Sequence, residues 1–297
     1  MSKSKIEWTE KTWNPVTGCT KISPGCQNCY AERMSKRLAG RAGYPKDNPF
    51  RVTFHHDRLN EPLKWNKPSR IFICSMGDLF HDSVSDEQID LVFAVMAMAK
   101  QHTFLLLTKR AERMAAYINK HDRLEQIRKM TWVAYPGYTY LNTPVPYWPM
   151  PNVWLGVTAE NQEQADKRIQ VLLQTPAAVR FVSVEPMLTQ VDLESIPFDR
   201  YTKMNVLQGC GITTRPGTMG QSIPNIYSNK LLDWVICGGE SGPGARPMHP
   251  DWARSLRDQC KFAGVPFFLK QMPINGKLVK MPELDGVVWN DYPEVQA

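Results

Sequence analysis

Short, unbroken apolar runs recur along the chain, each bounded by turn residues. Arg70-Ile71-Phe72-Ile73-Cys74-Ser75 lies between Pro68 and Gly77. Thr103 to Thr108, Val153 to Val157, Arg180 to Val184, Asp233 to Cys237 and Pro266 to Leu269 repeat the pattern. Runs this short, without polar alternation, predict strands buried on both faces. Between them the apolar positions switch to helical spacing. Ala31, Met34 and Leu38 share a face after Tyr30. Ser85 and Gln88 form a capping box that opens a helix running to about Lys100. Further helices are predicted over Ala111 to His121, over Gln162 to Gln174, and from Pro250 to a stop at Gly264. Buried strands alternating with helices predict a parallel sheet covered by helices. The expected fold class is α/β, a partial parallel (β/α) barrel in one domain over 1–297, with an open doubly wound sheet as the alternative. Two stretches break the rhythm. Residues 132–151 are dense in Pro and aromatics, and residues 199–230 are rich in Gly, Pro, Ser and Asn. Both are predicted as loop insertions over one end of the sheet.

Polar residues follow each apolar run. Ser75, Gly77 and Asp78 come after the first, Lys109 and Arg110 after the second, and Thr158 and Glu160 after the third. Glu185, Glu240 and Lys270 follow the last three. In a parallel barrel these positions share the C-terminal rim, where active sites are built. Any one of them alone reads equally well as a solvated strand end or helix cap. The GGESG segment at Gly238 lacks the lysine and hydroxyl of a phosphate-binding loop.

The densest chemistry lies nearer the N-terminus. Cys19, Cys26 and Cys29 are spaced C-x6-C-x2-C, with Pro24-Gly25 bending the backbone before the second. Three thiolates leave a tetrahedral zinc shell one ligand short. An iron–sulfur cluster held by the same three would leave one iron open to a small molecule. A structural zinc completed by His55, His56 or Cys74 stands as the alternative, and a disulfide as a further one. Cys74 and Cys237 sit in apolar runs, where an inert thiol is the ordinary outcome.

Composition narrows the setting more than the chemistry. The chain has 297 residues, 42% hydrophobic and 22% charged, enough for a sizeable core. Its start is polar rather than a signal peptide, and no apolar run reaches membrane-spanning length. These features predict a cytoplasmic protein without a membrane partner. The net charge of +7 is compatible with a nucleic-acid partner.

Seven motifs together carry a resemblance that covers nearly the whole chain. They are WNPVTGC with CYAE (Trp13 to Glu32), SMGDLFH (Ser75 to His81), LLTKR (Leu106 to Arg110), WLGVTAEN (Trp154 to Asn161), FVSVEPML (Phe181 to Leu188), GGESGPGARPM (Gly238 to Met248) and FFLKQ (Phe267 to Gln271). On these motifs the chain resembles an uncharacterised phage-associated family placed in the radical S-adenosylmethionine superfamily. The resemblance implies a barrel of the radical SAM type. It implies a [4Fe–4S] cluster on Cys19, Cys26 and Cys29, with S-adenosylmethionine chelating the open iron, an electron donor protein, and a 5′-deoxyadenosyl radical that abstracts hydrogen from substrate. By position it implies cofactor contacts from Ser75, Gly77, Asp78, Thr158 and Glu160. Glu185, Glu240 and Lys270 remain as catalytic or cofactor-carboxylate candidates, and Lys109 with Arg110 as holders of an anionic group. The superfamily's usual spacing is C-x3-C-x2-C with an aromatic before the third cysteine; here Asn28 precedes Cys29 and Tyr30 follows it. The expected substrate is a nucleic acid or nucleotide, such as modified phage DNA, stacked on Trp132, Tyr135, Tyr138, Tyr140, Tyr147 and Trp148. A self-packed lid with those rings turned inward is the competing reading of that segment.

Overall fold

The computed structural model describes residues 4, 6–134, 147–214, 221–223 and 231–294. The fold is mixed α/β, built on a mostly parallel sheet. The chain divides into two compact units. The first is Met1–Leu155 with Thr175–Ala178; the second is Gly156–Gln174 with Val179–Ala297.

In the first unit the strands β1 (Lys11–Trp13), β2 (Arg70–Ile73), β3 (Thr103–Thr108) and the start of β4 (Val153–Thr158) are neighbours in that order. β1, β2 and β3 are parallel, with Trp13 opposite Ile73 and Ile73 opposite Leu106. Their C-terminal ends therefore point the same way, and the polar residues after them share one edge. Val16–Thr17 is an antiparallel partner of Thr53–Phe54, and Lys11–Trp13 is the sheet strand.

Among the described residues this unit has the α-helices α1 (Tyr30–Arg37), α2 (Asp86–Met98), α3 (Ala111–Ile118) and α4 (Arg123–Ala134). α2 opens with the predicted capping box, Gln88 donating its amide to Ser85 Oγ at 3.3 Å and Gln88 Oε1 accepting from the Ser85 amide at 3.1 Å. It is buried on most sides, and Asp90 sits inside. Asp90 accepts from the Tyr117 hydroxyl at 2.7 Å and from Arg123 at 2.6 Å, so one carboxylate ties α2, α3 and α4 together. Burial pushes the Asp90 carboxyl up, against the pull of Tyr117 and Arg123.

α4 corrects two expectations. The helix predicted to reach His121 stops at Ile118, and a new helix runs on to Ala134, into the segment read as an insertion from 132. The buried positions Arg123, Ile127 and Thr131 repeat every four residues, but two of the three are polar. The face that turns inward therefore shows no apolar stripe. Tyr135, Tyr138 and Tyr140 lie outside the described residues.

The second unit has strands in the order β4, β5 (Val179–Val184), β6 (Trp234–Gly238), β7 (Phe267–Ile274) and β8 (Lys277–Lys280). β5, β6 and β7 are parallel, and β8 returns antiparallel along β7. The Asn161 side chain caps α5 (Gln162–Leu173). α6 (Pro250–Ala263) starts at the predicted proline and ends at Gly264 in the left-handed conformation, φ 71°.

The stretch 199–230, read as a loop, instead supplies strands to a small antiparallel sheet. It comprises Ile196–Pro197, Thr202–Asn205, Cys210–Thr213 and Gln221–Ile223. In Cys210–Thr213 the alternation is inverted: Gly211 and Thr213 face inward while Ile212 is 58% exposed. Among the described residues no helix is long and apolar enough to cross a membrane.

The Asp90 tie and the Ser85 cap differ in what their loss leaves behind. Arg123→Ala strands a buried carboxylate and is expected to cost about 3–5 kcal/mol. Ser85→Ala removes one exposed cap bond and is expected to cost about 1 kcal/mol. Urea unfolding of the two variants beside the parent checks both values and their order.

Candidate functional site

The cysteine segment is built against the ends of β1 and β2. Asn14, just after β1, accepts with Oδ1 from the Met76 amide at 2.9 Å and the Ser75 hydroxyl at 3.2 Å. Gly18 bridges Gly77, and its amide donates to the Met76 carbonyl at 2.9 Å. This approach admits no side chain. A Cβ on Gly77 would meet the Gly18 oxygen at 2.9 Å, and one on Gly18 would meet the Arg51 oxygen at 2.3 Å. Cys19 follows, its amide bonded to the Phe50 carbonyl. Pro24–Cys26 forms one tight turn, and Cys29 stands at the start of α1. All three cysteines are free and partly exposed.

Arg110, after β3, reaches back to this segment. Its Nη1 donates to Cys19 Sγ at 3.3 Å and lies 3.4 Å from Asp78 Oδ2. Its Nη2 donates to the Thr20 hydroxyl at 2.8 Å and the Thr20 carbonyl at 3.2 Å. Asp78, after β2, accepts from the Thr108 hydroxyl at 2.8 Å and from the Phe80 and Lys109 amides. His81 closes the group. The Ser83 amide donates to its Nδ1 at 3.0 Å, which leaves the ring proton on Nε2, 3.0 Å from Thr20 Oγ1. Burial, with the nearby Arg110 charge, pushes the His81 imidazole down, which favours the neutral ring.

The thiols differ electrostatically. Burial and the Asp78 carboxylate push Cys19 up, against Arg110. Burial works the same way on Cys26, but the Lys109 charge, the backbone amides of Ile22 and Ser23 and the Ser23 hydroxyl outweigh it and hold that thiol below the ordinary cysteine value. Among the described residues no three His, Cys, Asp or Glu side chains form a group able to hold a metal ion.

The residues expected as cofactor contacts thus have identifiable partners. Ser75 is bonded to Asn14, Gly77 is filled by the Val16–Gly18 backbone, and Asp78 holds Arg110 and Thr108. Arg110, expected to hold an anionic substrate, is directed at Cys19, Thr20 and Asp78. In the second unit Thr158 is buried, and its carbonyl accepts from Arg168 at 2.7 Å. Glu160 has no exposed surface and pairs with Arg168 at 2.8 Å. Glu240 is gripped by Arg246 at 2.6 and 2.9 Å. Glu185 pairs with Lys270 and accepts from Gln271 at 3.3 Å.

Residues the sequence reading left without a role are Asn14, Thr20, Arg168 and Arg246, together with His81. Arg168 lies two helical turns beyond Glu160, a separation that brings side chains to one face. Nothing local pairs Arg110 with a cysteine 91 residues earlier.

A family model described as a protein of unknown function, DUF5131, matches residues 3–293. The chain belongs to the DUF5131 family. No curated protein and no solved structure matches it. In this DUF5131 chain the Gly18–Gly77 approach determines where Cys19 stands. Gly77→Ala is expected to cost about 1–3 kcal/mol through overpacking against backbone, and to speed hydrogen exchange at the Gly18 amide. Exchange measured by mass spectrometry over the cysteine segment checks this.

Proposed function

We propose that the chain is a radical S-adenosylmethionine enzyme, with a [4Fe–4S] cluster held by Cys19, Cys26 and Cys29. One observation carries the reading: three free, partly exposed thiols on one segment, with a buried guanidinium on the first and a lysine charge acting on the second. The three thiols do not stand together as a metal-holding group, and it is by ligand type that they suit such a cluster. Thiolates are the ligands of such clusters, and nearby cations offset their charge. With it goes the partial (β/α) barrel of that superfamily, which the parallel order within each unit supports.

The donor chemistry favours a cluster over a single zinc. Three thiolates leave a tetrahedral zinc one ligand short, whereas a cluster held by three leaves one iron open to a small molecule. Two of the zinc's candidate fourth ligands are also engaged. His55 is bonded to the Thr17 hydroxyl at 2.7 Å, and Cys74 is wholly buried, its thiol pushed far up by desolvation.

When bound, the cluster and S-adenosylmethionine supply one-electron cleavage of a sulfonium and, from it, hydrogen abstraction at carbon. The chain's own residues do the rest. Arg110 and His81 fix Thr20, and Arg110 also fixes Cys19. Asp78 fixes Arg110. In the second unit Glu185 and Lys270 keep 18% and 16% exposure and so can meet a ligand. Glu240 positions the Arg246 guanidinium. The partners are a low-potential electron donor protein and, as substrate, a nucleic acid or nucleotide. Trp132 and Tyr147, 54% and 70% exposed, are available to stack on bases, whereas Trp148 packs on Phe93 with ring centroids 5.8 Å apart.

Two measurements test this. After anaerobic reconstitution, Cys19→Ala, Cys26→Ala and Cys29→Ala are each expected to lose the brown iron–sulfur absorbance, while Cys210→Ala keeps it. Full iron and sulfide in all three single variants would refute the cluster. Oligonucleotide affinity is expected to fall as salt rises, because neutralised phosphates release counterions. Binding without a salt slope, or none at low salt, moves the substrate to a peptide or metabolite.

A further inference from the structure

The Arg110 guanidinium lies against one of the three cysteines. Its Nη1 donates to Cys19 Sγ, and its other nitrogen is fixed on Thr20. The side chain is 7% exposed, and Asp78, which holds it, is 8% exposed. The pair is therefore shielded from solvent, where a charge acts on its neighbours with little screening. Cys26 instead meets the Ser23 hydroxyl at 3.7 Å and the backbone amides of Ile22 and Ser23.

Resting on the reading above, we propose that Arg110 is a positioning residue that sets the reduction potential of the Cys19-bound cluster, and that Asp78 opposes it. Reduction of the cluster adds one electron and makes or breaks no bond. The added negative charge is stabilised by the guanidinium and by its N–H···S bond, both of which raise the potential. The Asp78 carboxylate, 3.4 Å from the same guanidinium, works in the opposite direction. The cysteine segment thus carries a matched pair of opposite charges, contributed from the ends of β3 and β2, whose balance fixes how readily the electron arrives.

The sign is the test. Arg110→Gln, Arg110→Lys and Asp78→Asn are reconstituted anaerobically beside the parent, assayed for iron and sulfide, and titrated with dithionite as the electron source while the reduced signal is followed by electron paramagnetic resonance. Arg110→Gln is expected to lower the midpoint potential. Arg110→Lys, which keeps the charge but loses the planar fork, falls between it and the parent. Asp78→Asn is expected to raise it. Potentials that stay together, or that all move the same way, overturn the proposal. Failure of every variant to take up iron when the parent does overturns it too, because Arg110 and Asp78 would then be needed for assembly. If the parent itself takes up no cluster, the functional reading above falls and this inference falls with it.

Discussion

The buried pairing of Asp78 with Arg110 is the constraint on which the cysteine segment depends. Two charges removed from water are costly unless every donor and acceptor finds a partner. Here both ions are well bonded: the carboxylate takes the Thr108 hydroxyl, two amides and the guanidinium, and the two terminal guanidinium nitrogens take Thr20 and the Cys19 sulfur. Because each partner comes from the end of a different parallel strand, the network exists only when β2 and β3 lie side by side in register. The glycine contact adds a second requirement. Gly18 and Gly77 let two backbones touch, and the Cys19 amide then binds Phe50. The segment that carries the thiols is thus fixed by backbone on one side and by charge on the other.

What the sequence discloses and what it hides follow from how each element is stabilised. The strands at Arg70, Thr103, Val153, Arg180, Asp233 and Pro266 are legible because burial on both faces demands continuous apolar residues. α2 and α6 are legible because their caps are local: Ser85 with Gln88, Pro250 and Gly264. α4 is not, because its inward face carries Arg123 and Thr131, whose partners lie on other helices. The strand Cys210–Thr213 is hidden for the opposite reason, its apolar Ile212 facing out. At the candidate site the thiol spacing and the strand-end acids stand in the sequence, but their partners do not. Arg110 reaches Cys19 across 91 residues, and only the sheet order brings them together.

Within the second unit the strand-end acids form a graded series. Glu160 and Arg168 are 0% and 4% exposed, and breaking such a pair leaves a buried charge worth about 3–5 kcal/mol. That cost exceeds what one ligand contact returns, since a typical hydrogen bond to a charged group is worth about 1.5–3 kcal/mol. Glu160 is therefore part of the framework that holds the end of β4 against α5. Glu240 is intermediate: it is buried, but its partner Arg246 is a quarter exposed and keeps a face toward solvent. Glu185 and Lys270 keep 18% and 16% exposure, so parting them leaves two charges that water still reaches. Exchange of partners there costs less than at Glu160, because an arriving carboxylate or amine replaces the one it displaces. Of the acids that follow the strands of this unit, Glu185 with Lys270 is thus the pair whose own energetics permit it to open for a substrate, and Gln271 on the same strand stays bonded to the Gly239 carbonyl to keep it in place.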